Sequence, residues 1–169
     1  MADRVVLVNG LPASGKSTLG AALAEQLGWA FLSKDVLKEQ FGEMLWPGVP
    51  SAQLGGIALD TLYSLAALVE GGVVLDAVWL STRDLPFLQS GLSAMGEPRV
   101  VEVWCSIDEA LARERYERRM PGRHPMHESW RPGFWREAGP ITERPIRVDT
   151  SHVVDVERVA ALVRDAWNR

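Results

Sequence analysis

Val5-Val6-Leu7-Val8 is an unbroken apolar run that ends at Asn9-Gly10. A β-branched run without alternation predicts a strand covered on both faces. Leu19, Leu23 and Leu27 then recur every four residues, with alanines between them and Gly28 at the expected stop; this predicts a helix packed on a sheet. Trp29 to Leu32 reads as a second strand, and Val36, Leu37, Gln40 and Phe41 mark the helix after it, so Asp35 falls at a strand-to-helix junction. Pro47 to Pro50 is a break. Beyond it Leu54, Ile57, Ala58, Thr61, Leu62, Leu65, Leu68 and Val69 trace one face of a long helix up to Gly71-Gly72. Val73 to Ala77 reads as a third strand, Arg83 to Met95 as a weaker helix and Arg99 to Cys105 as a fourth strand.

Ser106 and Glu109 have the spacing of a capping box, which opens a helix through Met120. Along it Glu109/Arg113 and Glu114/Arg118 pair at i, i+4. Residues 121–145 carry five prolines, three glycines, two tryptophans and two histidines without sustained periodicity, which predicts a lid-like excursion. Ile146 to Asp149 is a fifth strand, and Asp155 caps a last amphipathic helix through Val156, Val159, Ala160, Val163 and Trp167. Strands alternating with helices imply an α/β fold, with a five-stranded parallel sheet and helices on both faces. Ligands of such sheets gather at the carboxyl ends of the strands.

At 169 residues and 47% hydrophobic, the chain suits one domain spanning residues 1–169. Eighteen basic against 22 acidic residues give a net charge of −4, which offers no general attraction to a polyanion and disfavours long nucleic acid. Only three of the basic residues are lysines, Lys16, Lys34 and Lys38, all in the N-terminal quarter. Cys105 is the sole cysteine, so an intrachain disulfide or thiolate metal cluster is excluded and a reducing, cytoplasmic setting is expected. The opening apolar run is far too short to span a membrane.

Gly10-Leu11-Pro12-Ala13-Ser14-Gly15-Lys16-Ser17 fits G-x-x-x-x-G-K-[ST] between a predicted strand and a predicted helix, the context that this phosphate-binding loop requires. Its glycines let the backbone curl around a polyphosphate, the helix N-terminus adds positive potential, Lys16 reaches the β- and γ-phosphates and Ser17 holds Mg²⁺. Gly10, Ala13, Ser14, Gly15, Lys16, Ser17 and Thr18 are therefore the candidate nucleotide-binding residues. Asp-x-x-Gly after the third strand and Asn-Lys-x-Asp later, marks of a guanine-nucleotide switch, are both missing, and Ala77 stands where a hydrolase places a glutamate after Asp76. Asp35, at the end of the second strand, is placed instead to accept a proton from a substrate hydroxyl; the competing use is a helix-start acid favoured by the dipole. Asp76 is a second candidate Mg²⁺ ligand, or a partner of nearby backbone N–H groups.

Arg115, Arg118, Arg119 and Arg123 approach or enter the irregular segment, where guanidinium groups would neutralise a transferring phosphoryl as a lid closes. Arg118 already has Glu114 as a surface partner, which leaves Arg119 and Arg123 as the catalytic candidates. His124, His127 and Glu128 make a poor zinc set, because Cys105 and His152 are remote in sequence, and suit lid or substrate contacts better. Trp46, Trp79, Trp130 and Trp135 line either an acceptor pocket or the core.

With the loop, Ser33-Lys34-Asp35, Asp76, the arginine-rich helix and Asp149-Thr150-Ser151 in this order, the sequence resembles small P-loop kinases of the chloramphenicol phosphotransferase, zeta-toxin and polynucleotide 5′-kinase group. The resemblance implies the P-loop NTPase fold with strand order 2-3-1-4-5, ATP and Mg²⁺ as cofactors, and a small-molecule hydroxyl as acceptor. It also implies that Asp149, Thr150 and Ser151 border the adenine side of the nucleotide; Arg115 is a further nucleotide-binding candidate. A nucleoside or polynucleotide kinase, and a non-catalytic ATP-binding module, are the alternatives.

Overall fold

The structure, a computed structural model, describes residues 2–127 and 134–168. The N-terminal apolar run forms β1 (Ala2–Gly10), followed by α1 (Lys16–Leu27), β2 (Ala30–Ser33), α2 (Lys34–Leu45) and α3 (Ser51–Leu68). Then come β3 (Gly71–Asp76), α4 (Ser81–Ala94), β4 (Arg99–Ser106), α5 (Glu109–Arg119), the short α6 (Phe134–Glu137), β5 (Ile146–Asp149) and α7 (Val156–Trp167). The five described strands pair in parallel, in the order β2-β3-β1-β4-β5. This is the P-loop NTPase arrangement that the sequence implies.

Side chains alternate across a strand, and β1 uses both sides. Val6 and Val8 pack with Leu19 and Leu23 of α1 and Val159 and Val163 of α7. Val5 and Leu7 pack with Leu59 and Leu62 of α3 and Leu88 of α4. All four β1 residues are completely buried, and full burial of such a side chain contributes roughly 1.5–3 kcal/mol. The unbroken apolar run is thus the signature of a central strand with helices on both sides.

The register aligns the functional ends of the strands. Val8 and Ser33 both pair with Asp76, Gly10 pairs with Cys105, and Ser106 with Asp149. A buried polar network then stitches the mouth of the loop. Asn9 Nδ2 donates to Trp79 O (3.1 Å) and Glu102 Oε1 (3.0 Å), while Asn9 Oδ1 accepts from the Gly10 and Trp79 amides. Glu102, in the middle of β4, also accepts from Ile141 N, Thr142 N and Thr142 Oγ1.

The predicted capping box at Ser106 is corrected. Ser106 is still a strand residue, paired with Asp149, and its carbonyl accepts from Thr150 N. Asp108 caps α5 instead, accepting from Ala110 N (2.8 Å) and Leu111 N (3.3 Å). The α5 helix stops at Arg119, and Met120–Gly122 forms a 3-10 turn because Pro121 cannot continue the α-helical ladder. Helix α4 starts at Ser81, two residues before its predicted start, since Asp84 Oδ2 reaches back to the Leu80 amide (2.8 Å). Asp155 caps α7 as predicted, through Arg158 N.

Candidate functional site

The loop between β1 and α1 is shaped by two left-handed residues, Ala13 (φ 59°) and Gly15 (φ 89°), on either side of Ser14. Alternating handedness of this kind turns successive N–H groups toward one side, making a concavity for an anion. Ala13 takes this conformation without glycine's freedom, at a cost of about 1–2 kcal/mol. Gly10 has no room for a side chain: a Cβ there would lie 2.7 Å from Ser14 Oγ and 2.9 Å from Cys105 Cβ. The Gly15 N-cap supplies no side chain to the first turn of α1, which leaves its N–H groups for a ligand. Lys16 is buried, whereas Ser17 and Thr18 are exposed beside it.

Asp76 is buried at the end of β3. Its Oδ2 accepts from Ser33 Oγ at 2.8 Å, whereas Oδ1 is buried with no hydrogen-bond partner among the described residues. A buried carboxylate oxygen without a donor is costly, and a hydrated Mg²⁺ ion is the kind of partner that relieves it. That unpartnered oxygen is compatible with the metal role expected of Asp76. Cys105 lies in β4, paired with Gly10, and burial pushes its thiol up to about 12, so it carries no thiolate chemistry at neutral pH.

Asp35 occupies the first turn of α2. Arg123 Nη2 lies 3.2 Å from Asp35 Oδ2 and 3.0 Å from Glu39 Oε1, and His127 Nε2 lies 2.8 Å from the same Glu39 oxygen. Beneath them Met126 is fully buried against Gly42, where a Cβ would come within 2.5 Å of its sulfur. The chain after α5 is therefore docked along one face of α2, one turn at a time, by Asp35, Glu39 and Gly42. Burial acts to raise the Asp35 pKa, but the Lys16 ammonium and then the Arg123 guanidinium outweigh it and hold the carboxyl below its ordinary value. Asp35 is thus an ionised acceptor at neutral pH, placed in the fields of the phosphate-loop lysine and of Arg123.

The docked segment carries a pH dependence of defined sign. Burial first, and the Arg123 charge second, lower the His127 pKa against the opposing pull of Glu39 and Asp35. The ring is therefore neutral at pH 7 and donates to Glu39. As pH falls below about 6.5, the undocked ring takes up a proton before the docked one, so docking weakens. Acidification from pH 7 to pH 5 is expected to speed exchange at the Arg123 and His127 amides, after correction for intrinsic rates. The His127→Gln variant should flatten that dependence. Unchanged exchange in the native chain would remove His127 from this role.

The other candidates divide. Arg115 donates to the carbonyls of Thr150 (3.1 Å) and Ser151 (2.8 Å), and a Cβ on Gly15 would lie 3.9 Å from Thr150 Cβ. Arg115, Thr150 and Ser151 are thereby brought together beside the phosphate loop, while Asp149 Oδ1 accepts from Ser151 N. Arg119 is exposed, and Arg118 pairs with Glu114 on the surface. Trp79 is completely buried, with Nε1 donating to Tyr63 Oη at 3.0 Å, so it belongs to the core and lines no acceptor pocket. Trp135 is buried between Tyr116 and the Arg113 guanidinium. Trp46 is half-buried at the end of α2. Glu128 and Trp130 lie outside the described residues. Among the described residues no three His, Cys, Asp or Glu side chains converge as a metal site, and His124 and His127 face Glu43 and Glu39.

Sequence reading missed Glu39, whose partners are 84 and 88 residues away, and also Asn9 and Glu102. An i, i+4 spacing from Asp35 to Glu39 on one helix face was the available signal.

No curated protein matches the sequence significantly. Among solved structures, a protein of Chloroflexus aurantiacus J-10-fl described as a candidate kinase superposes with a TM-score of 0.82 at 24% identity, covering 98% of each chain. A gluconokinase from Sinorhizobium meliloti 1021 gives 0.64 at 19% identity, over 98% of this chain and 97% of its own. The Mycobacterium tuberculosis APS kinase CysC, in complex with AMPPNP and APS, gives 0.65 at 19% identity, over 99% and 98%. At these identities the likeness is one of fold. No described helix is long and apolar enough to cross a membrane. A family model described as AAA domain matches residues 5–129, from β1 through the docked segment, and the chain belongs to that AAA-domain family.

Proposed function

We propose that this protein is an ATP-dependent phosphotransferase that moves the γ-phosphoryl group to a hydroxyl of a small molecule. The observation that carries the reading is the position of Asp35: an ionised carboxylate in the first turn of α2, just after β2, held below its ordinary pKa by Lys16 of the phosphate loop and by Arg123. In this reading the loop amides and Lys16 bind the β- and γ-phosphates, and Ser17 with Asp76 hold Mg²⁺. The metal would neutralise charge across the two phosphates. Arg115, Thr150 and Ser151 border the base. Asp35 takes the proton of the acceptor hydroxyl as its oxygen bonds to the γ-phosphorus and the bond to the β-phosphate oxygen breaks, giving a phosphate monoester and ADP. Arg123, freed from Asp35 as the acceptor enters, neutralises the transferring group, with Arg119 as a second candidate. The kinases among the structures of the same fold, which act on small molecules by their names, lend support.

A screen for ADP release and phosphorylated product across hydroxylated antibiotics, sugars, nucleosides and oligonucleotide 5′ ends tests the proposal. Turnover should appear with a small molecule and vanish in Lys16→Ala. Nucleotide binding without turnover on any acceptor would overturn it in favour of an ATP-dependent binding module.

A further inference from the structure

Two ammonium groups act on the Asp35 carboxyl, those of Lys16 and Lys34, and only Lys16 has a role in the proposed reaction. The other is Lys34, the first residue of α2. Lys34 is half-buried, and no carboxylate among the described residues lies within ion-pair distance of its Nζ. Asp35 is drawn to Arg123 at 3.2 Å. Asp84, the other acid whose field reaches Lys34, is held by Arg83 at 2.6 Å and by the Leu80 amide at 2.8 Å. One turn along α2, Lys38 Nζ donates to Ser51 Oγ at 2.8 Å.

Both lysine side chains lean on the same spot of α3. A Cβ on Gly55 would lie 3.9 Å from Lys34 Nζ and 3.9 Å from Lys38 Cε, and nothing lies within 4 Å of a Cβ on Gly56. Two adjacent glycines inside a helix cost about 1 kcal/mol each relative to alanine. At Gly55 this leaves bare backbone beside the Lys34 ammonium and the Lys38 stem. The lysines are unusual in the chain as well: arginine supplies every other basic side chain outside the N-terminal quarter. A compact ammonium on a flexible stem offers three donors to a small anion, whereas guanidinium prefers a planar fork.

We infer that Lys34 and Lys38, over the bare backbone at Gly55, form an anion subsite for the acceptor, which is therefore a hydroxyl compound carrying a carboxylate or a phosphoryl group. This rests on the phosphotransferase reading and adds the acceptor's charge to it. Lys34 directly precedes Asp35 in α2, so an anion held there would bring the acceptor hydroxyl beside the acid that takes its proton. Burial lowers the Lys34 pKa more than Asp35 and Asp84 restore it, and a bound anion returns the missing counter-charge.

Three lysines make the test direct, since ¹³Cε-lysine labelling gives three side-chain signals that Lys→Gln variants assign. The full chain, saturated with AMPPNP and Mg²⁺ to occupy the loop, is titrated at constant ionic strength with glycolate, with inorganic phosphate and with neutral ethylene glycol. Either anion should move the Lys34 and Lys38 signals and leave Lys16 still; which anion binds more tightly distinguishes a carboxylate from a phosphoryl acceptor. Lys34→Gln should weaken anion binding about tenfold or more, the worth of one charge-assisted hydrogen bond. Gly55→Glu, which keeps the helix and places a carboxylate against Lys34, should abolish it. If neither anion shifts Lys34, or the shifts survive in Gly55→Glu, the subsite is wrong. Transfer to neutral acceptors only would likewise reject it while leaving the phosphotransferase reading intact.

Discussion

Asparagine in place of Asp35 is expected to slow phosphoryl transfer by roughly 10²- to 10⁴-fold, the usual worth of a positioned general base. The substitution preserves shape but cannot accept a proton. It also withdraws a negative charge from between Lys16 and Arg123, which are the two neighbours that hold the carboxyl down. Loss of that charge leaves both cations freer to attract phosphate, so the KM for ATP should stay level or fall while kcat collapses. That split separates a base from a merely structural acid, whose loss would disturb docking and raise KM. Because the native carboxyl titrates below its ordinary value, its ionisation does not limit the rate between pH 5 and 8. Arg123→Gln removes one of the restraining charges, so the acidic limb of the pH–rate profile should move to higher pH. Full activity in Asp35→Asn would remove Asp35 from its assigned role.

The second large effect lies away from the chemistry. Glu102→Ala is expected to destabilise the fold by about 3–5 kcal/mol, as for breaking a buried, hydrogen-bonded charged group. The carboxylate is 1% exposed and accepts from Asn9 Nδ2, Ile141 N, Thr142 N and Thr142 Oγ1. Its removal strands these donors in a space that its own side chain filled. For a chain of this length the loss corresponds to a fall of roughly 10 °C in Tm. Glu102→Gln should fall between, since its amide N–H₂ would face donors where the carboxylate accepted. Asn9 links this network to the Gly10 amide, so ATP affinity should weaken with stability. A melt within 2 °C of the native chain would show that the network contributes little.

The chain after α5 is anchored near both regions. Arg123 and His127 fix its start on α2, and Glu102 fixes Ile141 and Thr142 where the chain returns toward β5. In the proposed cycle the acceptor enters by displacing Arg123 from Asp35. The pH dependence of docking at His127 and the rate at Asp35 are then coupled through one guanidinium.

Local physics made much of the fold legible. An apolar run covered on two sides, a four-residue leucine repeat, Gly28 as a left-handed stop (φ 71°) and Asp155 as a cap are all signals carried by neighbouring residues. The phosphate loop was legible for the same reason, since its chemistry is backbone chemistry within eight residues. Ser106 misled because the capping-box spacing is met without regard to where the strand ends; β4 pairing with β5 keeps Ser106 extended and passes the cap to Asp108. Trp79 was ambiguous because an aromatic residue after a strand serves a pocket or a core equally well, and burial under α3 and α4 decided it.

By itself, then, the sequence determined the sheet, the phosphate loop and the candidate acid at the β2–α2 junction, because each is set by periodicity or by a contiguous motif. Only the tertiary structure decided which charges meet: Arg123 with Asp35 and Glu39, Glu102 with Asn9 and Thr142, Lys34 and Lys38 over Gly55. These partners are tens of residues apart in most cases. Electrostatic energy depends on distance and burial in space, and neither is written in the spacing along the chain.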